Sequence, residues 1–126
     1  MMPDEKVTGL ARFYYATCYS MKGIRAAYAH EPAFRYEVYA VLVLVPASFW
    51  VAQTGLQLGL LVASCLLVLM AEMFNSAIEA VVDRAGLEMH ELAGRAKDLG
   101  SAGVFFTLLI VASIWSGVLW DNFIAG

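Results

Sequence analysis

Between Val7 and Tyr28, apolar side chains recur at Val7, Leu10, Tyr14, Cys18, Met21, Ile24 and Tyr28. These spacings of three and four put them on one face of a helix, while Arg12, Tyr15, Tyr19 and Lys22 share another. The segment is too polar to cross a bilayer, so residues 4–30 read as an amphipathic helix lying in the membrane interface, with Gly23 as a point of bending. Beyond it the pattern changes. No Asp, Glu, Lys or Arg occurs in residues 38–71, a run of 34, or in residues 99–120, a run of 22. About 20 apolar residues cross a hydrocarbon core about 30 Å thick, so the shorter run spans once and the longer one twice, around a turn at Gln53-Thr54-Gly55. The expected spans are residues 32–52, opened by Pro32 and kinked at Pro46; residues 56–85, stopped by Gly86; and residues 91–122. The fold class is all-α integral membrane: a single domain of three transmembrane helices preceded by an N-terminal surface helix.

Composition sharpens this picture. Only 15% of the 126 residues are charged, against about 25% in soluble domains, and 61% are hydrophobic. All 19 charged side chains crowd into the 70 residues outside the two runs. A soluble domain and a secreted disulfide scaffold are excluded, as is a nucleic-acid binder, since the net charge is −3 and no basic surplus exists. Cys18 and Cys65 sit on different segments and are not expected to pair, and no cleaved signal peptide is expected because no apolar core follows a basic stretch near Met1. Five of the eight Lys and Arg (Lys6, Arg12, Lys22, Arg25, Arg35) precede the charge-free run 38–71 and three (Arg84, Arg95, Lys97) lie between it and the run 99–120. The positive-inside rule then puts the N-terminus and residues 84–98 in the cytoplasm, with the Gln53 turn and the C-terminus outside. Trp50, Trp115 and Trp120 suit an aromatic belt on that outer side.

On the second span Glu72, Asn75, Glu79 and Asp83 follow spacings of 3, 4 and 4, which gather them into one stripe. From Leu56 to Glu72 is about 25 Å of helix, so Glu72 falls near the far lipid boundary. Carboxylates there are costly unless paired, hydrated or bound to cations, which makes Glu72 and Glu79 candidates for function; Asp83, Glu88 and Glu91 equally suit solvated surface. Oxygen ligands of this kind suit Mg²⁺ together with phosphate oxygens. His30 and His90 stand alone, without zinc spacing. Neither a Walker-type nor a dinucleotide-type glycine loop is present, so a nucleotide site would have to be built differently. Gly94-Arg95-Ala96-Lys97-Asp98-Leu99-Gly100-Ser101 offers two cations, a carboxylate and small residues for it, and reads equally as a positively flanked helix start.

The run Glu72-Met73-Phe74-Asn75-Ser76-Ala77-Ile78-Glu79-Ala80-Val81-Val82-Asp83-Arg84, together with residues 90–102 (HELAGRAKDLGSA), resembles the signature of prokaryotic diacylglycerol kinases. The resemblance extends to Lys22-Gly23-Ile24-Arg25-Ala26-Ala27 and Glu31-Pro32-Ala33-Phe34-Arg35. It implies a small integral membrane kinase of the bacterial inner membrane. Such a kinase works as a homotrimer with composite sites between subunits and uses ATP, Mg²⁺ and diacylglycerol. It makes Glu72 the general base and Glu31 and Glu79 the metal-binding carboxylates. Arg12, Tyr19, Ser20, Glu88, His90, Gly94, Lys97 and Asp98 then fall at the nucleotide, together with Glu31 and Glu79. Glu37, Asn75 and Ser101 fall at the lipid substrate, with Arg12 and Glu72. At Tyr15 the family pattern has a basic residue and this chain a phenol. Gly100 and Gly103 are expected to permit close helix approach.

Three other functions fit the same residues. Undecaprenol kinases share these motifs and the mechanism, differing in the acceptor. A non-enzymatic ion or proton relay would use Glu72 and Glu79, though the stripe occupies one end of the spans rather than their length. A structural assembly helper would need neither carboxylate for chemistry.

Overall fold

A computed structural model describes residues 8–86 and 90–125. Residues 4–7 of the expected surface helix, and Glu88, lie outside the described residues. The described residues form four helices, α1 (Leu10–His30), α2 (Pro32–Val51), α3 (Gly55–Arg84) and α4 (Glu91–Leu119), and α4 runs into a π-helical turn over Trp120–Ile124. Three of them are long and apolar enough to cross a membrane: Pro32–Val51, Gly55–Arg84 and α4 with its π-turn.

Each boundary has a local cause. Pro32 opens α2 at a position where a missing N–H costs nothing. At the turn into α3, the Thr54 hydroxyl accepts from the Gln57 N–H (3.1 Å) while the Gln57 side chain accepts from the Gln53 N–H (2.9 Å), a reciprocal cap. Gly86, at φ +141°, lies just past the end of α3 in a conformation that side chains other than glycine rarely adopt. His90 caps α4, its Nδ1 accepting from the Leu92 N–H (3.0 Å). Neither Gly23 nor Pro46 interrupts its helix.

α3 is the central element, packing most closely on α4 and also on α2, while α1 touches α2 and α3. Its buried residues are Leu61, Ser64, Cys65, Val68, Glu72 and Asn75, all on one helical face. Elsewhere the described apolar residues that are buried are few: Ala27, Phe34 and Val118. Large apolar side chains such as Leu42, Phe74, Val81 and Phe105 lie open on the outer faces, as helices facing lipid or other subunits require.

Polar fastenings join the spans where an apolar medium would leave such groups unsatisfied. Asn122, on the π-turn, donates through Nδ2 to the Val51 carbonyl (2.7 Å) and to Gln57 Oε1 (2.9 Å), and its Oδ1 accepts from Gln57 Nε2 (3.1 Å). One amide thus ties the ends of all three long helices. Trp115 turns inward rather than joining an outer belt, because its indole N–H finds a partner in the buried Ser64 hydroxyl (3.2 Å). Trp50 and Trp120 stay exposed. Replacing Asn122 by Ala should lower unfolding stability by about 1–2 kcal/mol, given the modest worth of hydrogen bonds inside membranes. Thermal or SDS unfolding in detergent measures it, and an unchanged midpoint would show the fastening to be dispensable.

Candidate active site

The buried face of α3 changes chemistry along its length. Leu61, Cys65 and Val68 give way to Glu72 and Asn75, and Glu79 continues the same face half-buried. Glu72 is only 5% exposed. The Glu37 carboxyl approaches it from α2, Asn75 adjoins it from the next turn, and Glu79 and Glu31 are close enough for their charge to act on it. Glu31 reaches this cluster from the α1–α2 junction. Two helices and the elbow before α2 therefore bring Glu31, Glu37, Glu72, Asn75 and Glu79 within electrostatic reach of one another, with no cation paired to any of these carboxylates among the described residues. Glu37 Oε2, Asn75 Oδ1 and Ser76 Oγ are buried without a hydrogen-bond partner among the described residues. Buried polar atoms are ordinarily satisfied, so these three mark a place built for something else to complete.

α4 closes one side of this cluster through Gly100. A Cβ there would run into Asn75 Oδ1, whereas one at Gly103 would meet nothing within the chain. The close approach thus lies at Gly100 alone, because only that position faces the polar end of α3. Lys97 ion-pairs with Asp83 at 2.6 Å and lies within electrostatic reach of Glu79, so the last acidic residue of the stripe, though exposed, has a cation beside it. Asp98, Ser101 and Gly94 are exposed on α4. His90 is exposed and occupied in capping, and Arg95 pairs with Glu91 (3.6 Å) on the exposed surface, where such pairs contribute little.

The α1 residues are not joined to the cluster by any hydrogen bond or ion pair among the described residues. Arg12 is exposed, the Ser20 hydroxyl donates back to the Ala16 carbonyl (2.9 Å), and Lys22 sits over the Tyr19 ring. Most of the apolar stripe of α1 stays uncovered within the chain: Leu10, Tyr14, Met21, Ile24 and Tyr28 are exposed and Cys18 is half-buried. Cys18 and Cys65 are both free. Among the described residues no three acidic, His or Cys groups converge to enclose a metal ion. The all-oxygen chemistry of Glu31 and Glu79 suits a hard divalent cation that takes one or two protein carboxylates and completes its shell with phosphate oxygens and water.

Three helices long and apolar enough to cross a membrane, with an acidic, partly unsatisfied polar cluster buried among them, define an integral membrane protein. Residues 18–119 match the family model described as prokaryotic diacylglycerol kinase. Relatives named diacylglycerol kinase include those of Haemophilus influenzae (46% identical, covering 91% of this chain and 98% of that protein) and Escherichia coli strain K12 (47%, covering 92% and 95%). That of Pseudomonas aeruginosa is 44% identical, covering 93% and 95%. The chain belongs to the prokaryotic diacylglycerol kinase family, a family of lipid kinases, and is an enzyme. The relay and assembly-helper functions are thereby set aside.

The Gly100 contact generates a direct test. Gly100→Ala should destabilise the folded protein by about 1–3 kcal/mol, the usual cost of overpacking. Gly103→Ala, on the same helix, should be neutral or gain up to about 1 kcal/mol from helix propensity. Thermal midpoints of the pair decide it. An equal loss at both would place another subunit against Gly103, and no loss at Gly100 would contradict the close approach.

Proposed function

We propose that the protein transfers the γ-phosphoryl group of ATP to diacylglycerol, giving phosphatidic acid at the cytoplasmic face of the bacterial inner membrane, with Mg²⁺ as cofactor and Glu72 as general base. The observation that carries this reading is Glu72 itself, a carboxylate buried between helices at the end of a span and left without a cation among the described residues. Such a group is expensive unless the reaction uses it. The names of the relatives support diacylglycerol as the acceptor.

As the lipid hydroxyl oxygen attacks the γ-phosphorus, Glu72 takes the hydroxyl proton. The new O–P bond forms while the bond to the bridging oxygen breaks, and ADP departs with that electron pair. The acceptor needs no carrier, because a headgroup hydroxyl already lies at the depth of Glu72 and the bilayer holds it there. Asn75, one turn from Glu72, helps orient the hydroxyl there, with Glu37 and Ser101 on the lipid side. Glu31 and Glu79 would hold Mg²⁺, which when bound offsets the phosphate charge. Lys97, held in place by Asp83, supplies a further positive charge toward the phosphates. Arg12, Tyr19, Ser20, Gly94, Asp98, Glu88 and His90 serve the nucleotide.

The apolar faces left open on α2, α3 and α4 support assembly into a homotrimer within the membrane, and the uncovered stripe of α1 supports its lying along the interface. In such a trimer Arg12, Tyr19 and Ser20, remote from the carboxylates along their own helix, can serve a site on a neighbouring subunit. The distribution of Lys and Arg supports a cytoplasmic N-terminus and an outer C-terminus.

Glu72→Gln should lower phosphoryl transfer by about 10²–10⁴-fold, the range for loss of a general base. Its thermal midpoint and nucleotide binding should stay close to wild type, and near-normal turnover would remove Glu72 from the role. Glu79→Ala should raise the Mg²⁺ concentration needed for half-maximal rate or abolish activity. An unchanged Mg²⁺ dependence would contradict its assignment.

A further inference from the structure

We propose that Arg35, Tyr28 and Tyr39 form a latch that fixes the angle between α1 and α2 and so positions the Glu31 carboxylate; this rests on the proposed role of Glu31 as a metal ligand. The elbow between the two helices is a single residue. Glu31, at φ −114° and ψ 102°, closes α1 by donating its N–H to the Ala27 carbonyl (2.8 Å) and opens α2 by accepting from the Arg35 N–H (3.3 Å). Helix N-caps favour Ser, Thr, Asp and Asn, whose short side chains reach the exposed amides of the first turn. Glu31 is a poor substitute and makes no side-chain cap bond, so its carboxylate is not held at the cap and lies within electrostatic reach of Glu72.

Other groups hold the elbow instead. Arg35 Nη1 donates to the Tyr28 carbonyl (2.9 Å) and the Ala29 carbonyl (3.2 Å), which belong to the unpaired last turn of α1, where a cation is favoured. Arg35 takes these carbonyls although Glu31 and Glu37 lie within four residues, and among the described residues it forms no ion pair. One turn further along α2, the Tyr39 hydroxyl meets the Tyr28 hydroxyl at 2.9 Å, with the rings edge-on and their centroids 6.4 Å apart. Tyr28 is therefore gripped at its carbonyl and at its hydroxyl, both from α2. Two grips on one residue set an angle, where one would leave a swivel. Because Glu31 sits at the vertex, its carboxylate moves with that angle, and Arg35, Tyr28 and Tyr39 act as positioning residues for it.

The test uses the full-length protein in detergent micelles, with Mn²⁺ as the probe ion and a non-hydrolysable ATP analogue, and reads bound Mn²⁺ from loss of the free-ion EPR signal. Glu31→Gln should weaken Mn²⁺ binding. Arg35→Ala should weaken it roughly tenfold, as loss of a ligand-orienting partner does, with partial recovery in Arg35→Lys. Tyr39→Phe, which removes one hydroxyl, should weaken it about threefold. Neither change should add to the loss in a Glu31→Gln background. If Glu31→Gln binds Mn²⁺ normally, the metal reading fails and the latch with it. If Glu31→Gln binds weakly while Tyr39→Phe binds as wild type, or if the two losses add in full, the latch is overturned and the metal reading stands. Should Arg35→Ala fail to fold, Tyr39→Phe decides alone.

Discussion

A carboxylate taken out of water must be matched by a positive charge or a set of hydrogen bonds, and that constraint governs the end of the spans around Glu72. The protein buries Glu72 and brings Glu37, Glu31 and Glu79 toward it, yet leaves the group without a cation among the described residues. A purely structural core would have replaced such a group with an apolar residue, as the N-terminal half of the same α3 face does at Leu61, Cys65 and Val68. The imbalance suits a site whose missing positive charge arrives with a bound ligand. The rest of the molecule holds the imbalance in place.

The means of holding it are polar, because apolar packing between helices offers little advantage over contact with lipid. The Asn122–Gln57–Val51 knot fastens one end of the bundle and the Ser64–Trp115 bond the middle, while the exposed Lys97–Asp83 pair adds little at the acidic end. Gly100 adds a steric element: α4 comes close enough over Asn75 that no side chain fits between them. Only α1 is loosely engaged within one chain, which accords with a helix that completes its contacts with membrane or neighbouring subunits.

Local periodicity made part of this structure legible in the sequence. The charge-free runs and the spacing of Glu72, Asn75 and Glu79 are properties of single helices, and α3 carries those three residues on its buried face as that spacing implies. Relations between helices were not legible. Nothing in the spacing of Glu37 and Glu72 announces that they face one another, since that depends on how α2 rolls against α3. The same holds for the pairing of Asp83, which is exposed as solvated surface would be, with Lys97 of α4, and for Trp115, whose depth suited an aromatic belt until Ser64 offered its hydroxyl. Gly100 and Gly103 read alike as small residues, and only the facing of α4 separates them. Ser76, buried with an unpartnered hydroxyl one residue from Asn75, was signalled by the motif but by no chemistry of its own.

Phosphoryl transfer to a membrane lipid at this buried acidic end is tested most directly with the wild-type protein in mixed micelles, supplied with γ-labelled ATP and Mg²⁺, and with diacylglycerol or undecaprenol as separate acceptors. Labelled phosphatidic acid from diacylglycerol is the expected product. Label appearing only in undecaprenyl phosphate would move the acceptor while keeping the mechanism, and no labelled lipid from well-folded protein would contradict a kinase role for Glu72 and its neighbours.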